Sequence, residues 1–180
     1  MHPPRQPRDL FAVTLVLVLV TATVITASPD DERARLITVA LLAVTLLAAV
    51  GASGAGRRGV RAAGALGAAA VAGAVIGVLT EHSAKTLPLI LAVVLVTVAP
   101  AALVRGIVKE VRASGVTLPV VMGAIAMYLL FGMFFSLLVG TIASIDDAPY
   151  FGAQGDGDAS VNLYFSYVTL ATLGYGDFTP

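Results

Sequence analysis

The closing run Thr172-Leu173-Gly174-Tyr175-Gly176-Asp177 could do chemistry without any reactive side chain. Gly174 and Gly176 flank Tyr175, and glycine adopts left-handed backbone angles at little steric cost. Where left- and right-handed residues alternate, successive carbonyls turn to one side of the chain. One chain then offers a ladder of oxygens, and a ring of chains about an axis offers stacked cages for a bare cation. Enzymatic chemistry has no comparable footing. The only histidines are His2 and His82, and no cluster of nucleophile, base and acid stands out. The chain has no cysteine, which excludes disulfides.

The elements that would position this run are apolar. The chain has 180 residues, 58% hydrophobic and 12% charged, and its mean hydropathy is +0.93. That is far above soluble usage, so a lipid bilayer is the expected solvent. Charged residues are absent from five stretches: Leu10 to Ala27, Leu36 to Gly56, Ala62 to Thr80, Thr86 to Val104 and Pro119 to Gly140. Each is near the about 20 residues that carry a helix across hydrocarbon. Arg5 and Arg8 precede the first stretch and Arg57, Arg58 and Arg61 the third, while Arg105, Lys109 and Arg112 precede the fifth. The alternate loops carry only Arg33, Arg35 and Lys85. The positive-inside rule therefore puts the amino terminus in the cytoplasm and brings the fifth helix out at the external face. "VITAS" at the end of the first stretch permits a signal-peptide reading, but the apolar run is longer than such peptides use.

Short loops make the first four helices one antiparallel bundle. Gly73 and Gly77 form a GxxxG pair suited to close helix packing. Pro88 and Pro100 are expected to flank the fourth helix, and Pro119 to open the fifth. "VRGIVKEVRASG" reads either as an amphipathic segment on the inner membrane surface or as a solvated loop. The fourth helix has no arginines at regular intervals, so a voltage sensor is not expected.

After Thr141 comes an outward loop with turn formers and acids. Asp158 or Ser160 can then cap a helix, and Val161 to Ala171 form an aromatic-rich apolar run too short to cross. It must enter the bilayer and turn back. The five following residues, Thr172 to Gly176, span about 15 Å when extended, enough to return. Bare backbone at that depth is tolerated only when buried in protein or lining a watery cavity.

From Pro119 to Pro180 the chain resembles the potassium channels, and "TLGYGD", Thr172 to Asp177, carries the resemblance. The family's filter is commonly threonine, valine or isoleucine, glycine, tyrosine, glycine, usually followed by aspartate. The resemblance implies potassium sites at the carbonyls of Thr172, Leu173, Gly174 and Tyr175, with Gly176 closing the filter. It also implies that the Thr172 hydroxyl completes the innermost site. Tyr164 and Phe165 resemble the aromatic cuff of the family's pore helices, Thr169 is placed to hydrogen-bond Tyr175, and Asp177 completes the supporting set. Two departures accompany it. Leu173 replaces valine or isoleucine and must pack behind the filter, and Val168 stands where some members carry glutamate, so Asp177 needs another partner or faces solvent. The family follows its filter with an inner helix. Nothing follows Pro180, which leads us to expect a record of part of a longer protein rather than a product unable to conduct by itself.

The resulting expectation is an all-α membrane protein, with five transmembrane helices plus a re-entrant pore helix and an extended selectivity filter. Residues 1–9 form a cytoplasmic terminus, 10–104 a four-helix bundle, 105–118 a cytoplasmic linker and 119–180 a partial pore domain. The expected function is passive, selective potassium conduction by a homotetramer in the plasma membrane, with the pore loop extracellular. Asp146, Asp147, Asp156 and Asp158 would concentrate cations at the outer mouth. Potassium is the permeant ion, and no cofactor or nucleic-acid partner is expected. The alternatives are a non-selective cation channel and a non-conducting scaffold or regulatory subunit. The sequence names no gating stimulus or regulatory ligand.

Overall fold

Long apolar runs favour helices, and a computed structural model, which describes residues 7–27, 32–79, 86–145 and 148–180, is all-helical with no strand among those residues. The helices are α1 (Pro7–Ala27), α2 (Glu32–Ala52), α3 (Arg57–Leu79), α4 (Thr86–Ser114), α5 (Leu118–Ala143) and α6 (Ala159–Leu170), with a short 3-10 turn at Gly152–Gln154 before α6. Among the described residues three helices are long and apolar enough to cross a membrane: Asp9–Ala27 of α1, Arg57–Ile76 of α3 and Leu118–Ala143 of α5. The apolar part of α2, Leu36–Ala52, is shorter. Val16, Ile76, Phe131 and Phe135 lie exposed on the outer faces, as suits a lipid-facing surface and not a watery one.

α2 packs on α1, α3 and α4, while α5 is held by α1, α4 and α6. Phe11, Leu46, Leu95, Leu103, Leu130 and Met133 fill the centre. Lipid gives helices no hydrophobic drive to associate, so close packing over small residues must do it. Gly67 lies against Ala43, and a Cβ on Gly123 would come within 2.7 Å of the Phe11 ring. Gly73 is buried, but the surroundings of Gly77 lie outside the described residues. The buried hydroxyls of Thr14, Thr21 and Thr45 each donate 2.7 Å to the carbonyl four residues earlier, which removes their desolvation cost.

Three boundaries differ from the sequence expectation. Pro100 does not flank α4 but lies inside it, and the helix continues through the supposed 105–118 linker as far as Ser114. Only 115–117 then separate α4 from α5. Arg57, Arg58 and Arg61 belong to the first turns of α3 rather than to the preceding loop. The continuation of α4 has a packing reason: Gly106 sits on the α2–α3 turn, where a Cβ would come within 2.9 Å of the Ala52 carbonyl oxygen. Leu103 is buried on the same face, Lys109 reaches over Gly54 of that turn, and Arg105 and Arg112 lie exposed on the packed helix. Pro119 opens α5 as expected, at a position where its missing amide hydrogen costs little.

Candidate functional site

α6 begins where the sequence places a cap. Asp158 has extended backbone angles, and its Oδ1 accepts the Val161 N–H at 2.8 Å, satisfying one of the free amides of the first turn. The helix is 12 residues long, about 18 Å, well short of a membrane crossing. α6 lies on α5 over a stripe of small residues, Gly132, Ser136 and Gly140, four residues apart. The ring of Tyr167 occupies the space a side chain at Gly132 would need, and the Asn162 side chain lies beside Gly140. The Tyr167 hydroxyl donates to the Leu129 carbonyl of α5 at 2.7 Å.

The last turn of α6 passes directly into the return segment. The carbonyls of Tyr167, Thr169 and Val168 accept the N–H groups of Ala171 at 2.8 Å, Thr172 at 2.9 Å and Leu173 at 2.9 Å. Beyond Leu173 the chain runs back along α6. Thr172, Gly174 and Gly176 have φ of 58°, 52° and 74°, so left-handed residues alternate with others over the whole expected run. Thr172 is the one non-glycine residue with positive φ among the described residues. For a β-branched residue this is a strained conformation, and glycine chemistry gives no hint of it. No described residue donates a hydrogen bond to the carbonyls of 172–176, and all five residues are exposed in the single chain. The C-terminal end of α6 lies next to Thr172 and adds partial negative charge from its helix dipole.

The return brings Asp177 up beside residues that precede it by more than a dozen positions. Tyr164 Oη donates to Asp177 Oδ2 at 2.7 Å, and Gln154 Nε2 donates to the Asp177 carbonyl oxygen at 2.7 Å. The Phe178 N–H donates to Asp177 Oδ1 at 3.1 Å. The bond to the Asp177 carboxylate raises the Tyr164 phenol above its ordinary pKa, with desolvation and the nearby charge acting the same way. Phe151 is the hub of the surrounding aromatic cluster: its ring lies 5.1 Å from Phe165 and 5.4 Å from Phe178, and Tyr164 lies 6.2 Å from Phe178. Phe151 itself is only 3% exposed.

The fold brings Tyr164 to Asp177 and Phe165 to the adjoining aromatic cluster, so Asp177 has Tyr164 as a partner where position 168 is valine. Thr169 does not join them. It is exposed, and no hydrogen bond links it to Tyr175, which is 66% exposed. Leu173 is also 56% exposed and lines a groove between α1, α5 and α6 instead of packing behind the return segment. Asp156 is engaged by the Tyr150 N–H at 2.9 Å and Asp158 by the α6 cap, so both acids have local structural work. Asp146 and Asp147 lie outside the described residues. Gln154, Phe151 and Tyr167 were missed in the sequence. Of these, only Tyr167 had a readable signal, because the Gly132, Ser136, Gly140 spacing marks the face of α5 that accepts a helix. Among the described residues no group of three or more His, Cys, Asp or Glu side chains is placed to hold a metal ion.

No family model, curated protein or solved structure matches this chain.

Proposed function

We propose that the protein is a subunit of a potassium-selective pore. The observation that carries this reading is the set of unpaired carbonyls at 172–176, on a segment whose φ alternates in sign and which is hung from a helix too short to cross the bilayer. Unpaired backbone is costly in hydrocarbon and survives where it lines water or meets an ion. Backbone oxygens on one side of the chain can replace a cation's hydration shell, as they do in potassium-channel filters, which this run resembles.

In this reading five helices span the membrane, α1 to α5, with the amino terminus cytoplasmic and α6 entering from outside. One return segment supplies only part of a cage, so four chains share an axis and contribute the carbonyls of Thr172, Leu173, Gly174 and Tyr175. The exposure of Leu173, Gly174, Tyr175 and Gly176 in one chain supports a surface completed by other copies. Asp177, tied to Tyr164 and Gln154, fixes the outer end of the segment, and the last turn of α6 fixes its inner end. The protein supplies coordination and exclusion of water, and the ion gradient drives the flux.

Non-selective cation conduction is the second reading, and Leu173 favours it. A side chain that is more than half exposed leaves the width of the carbonyl ring to be set by neighbouring chains. Reconstitution of the full-length protein in liposomes, with reversal potentials measured in potassium against sodium, separates the two. A strong shift toward the potassium equilibrium potential supports selectivity. Equal permeability sinks it and leaves the second reading, and no flux above empty liposomes sinks both.

A further inference from the structure

Tyr167 belongs to no part of the filter, yet the route from α5 to the filter runs through it. Its ring fills the notch at Gly132, where any side chain would collide with it, and stands 6.3 Å from the Tyr128 ring. Its hydroxyl reaches across to the backbone of α5 and donates to the Leu129 carbonyl at 2.7 Å. This side-chain hydrogen bond ties α6 directly to the backbone of α5. A helix carbonyl has a second lone pair, so Leu129 can accept it without giving up its own helix bond. At the other end, the backbone carbonyl of Tyr167 accepts the Ala171 N–H, and the next two carbonyls hold Thr172 and Leu173. The residue that pins α6 sideways therefore also begins the run of hydrogen bonds that sets where the carbonyl ladder starts.

We infer that Tyr167 is a positioning residue for ion selectivity: its hydroxyl fixes the rotation and depth of the last turn of α6, and through that turn the spacing of the Thr172 and Leu173 carbonyls. The inference rests on the pore reading. It follows from geometry, because the rest of the α5–α6 contact is apolar packing and the Asn162 side chain lying beside Gly140, with no further hydrogen bond across it among the described residues, and such contacts resist separation more than sliding. A hydrogen bond at a defined carbonyl sets one register. A shift of a few tenths of an ångström in that register moves oxygens relative to an ion whose fit depends on distances of that order.

The test uses the full-length protein with Tyr167→Phe, which keeps the ring on Gly132 and removes only the hydroxyl. Two quantities are read: amide hydrogen exchange at Ala171 to Leu173 in lipid nanodiscs, and the potassium-to-sodium permeability ratio in liposomes. We expect exchange to quicken and the ratio to fall about five-fold, the size of one lost net hydrogen bond, with expression and oligomer size unchanged. Tyr167→Leu, which also vacates the notch, should lower the ratio further. Unchanged exchange in Tyr167→Phe overturns the inference, because the bond would then hold nothing. Quicker exchange with an unchanged ratio overturns it too, and shows a purely structural bond. If the wild-type protein itself fails to discriminate potassium from sodium, the potassium-selective reading falls and this inference with it. That outcome is seen in the wild type alone, before any variant is compared.

Discussion

The Tyr164 hydroxyl donates to Asp177 Oδ2 at 2.7 Å, joining the middle of α6 to the far end of the return segment. With Gln154 on the carbonyl of the same aspartate, this bond stops the chain from peeling away after Gly176. Tyr164→Phe should therefore quicken amide exchange at Phe178, whose N–H leans on the same carboxylate, while exchange within α6 stays as it was. An unchanged Phe178 rate would show that the aromatic cluster around Phe151 suffices to hold the return.

The same bond has a pH dependence with a definite sign. Tyr164 has a raised pKa in the fold, so the fold favours its protonated form. The stabilisation is complete below the ordinary tyrosine value of about 10 and is lost as pH rises through the raised value. Alkaline titration followed by phenolate absorbance should show one fewer late-titrating tyrosine in Tyr164→Phe than in the wild type, because Tyr167 titrates late in both, and Phe178 exchange should rise over the same alkaline range.

Gly132 and Gly56 give a matched pair. A methyl at Gly132 collides with the Tyr167 ring, whereas at Gly56 nothing lies within 4 Å. Gly132→Ala should destabilise the protein by about 1–3 kcal/mol, the usual cost of overpacking, and Gly56→Ala should leave it near wild type. Thermal unfolding in one detergent compares them. Equal effects would mean that the α5–α6 contact is loose.

Gly174 and Gly176 have open space around them, so only their backbone angles resist a side chain. Gly174→Ala should cost about 1–2 kcal/mol, the left-handed penalty for an ordinary residue, and should also reduce cation flux by turning a carbonyl aside. Wild-type flux in this variant would separate the φ alternation from function.

Asp158→Ala removes the cap of α6 and should lower stability by about 1 kcal/mol, while Asp158→Asn or Asp158→Ser should restore most of it. Unfolding midpoints of the three variants measure the recovery. The same cost in all three would place the effect in the charge of Asp158 rather than in its bond to Val161.

Much of this was readable because the deciding forces are local. The cap at Asp158, the proline opening α5 and the left-handed glycines at 174 and 176 each follow from one residue's own stereochemistry. The path of α4 was not readable in that way. Arg105, Lys109 and Arg112 end the hydropathy signal, although such residues favour helix, and the contact that keeps the helix going, Gly106 on Ala52, is distant in sequence. Pro100 looked like a boundary because isolated helices avoid proline, but α4 continues through it with α2, α3 and α5 packed along its length. The Thr172 angle and the Tyr164–Asp177 bond depend on the return of the chain, which no window of sequence contains.

Pro100 has a mechanical consequence. It has no amide hydrogen, so the Val96 carbonyl one turn earlier loses its usual donor in the middle of a 29-residue helix. A rod with one missing tie is softest at that point. Any swing of the cationic end near Arg112 about Pro100 has to lift Leu103 and Gly106 off the α2–α3 turn, so that seat is what keeps the two halves of α4 in line.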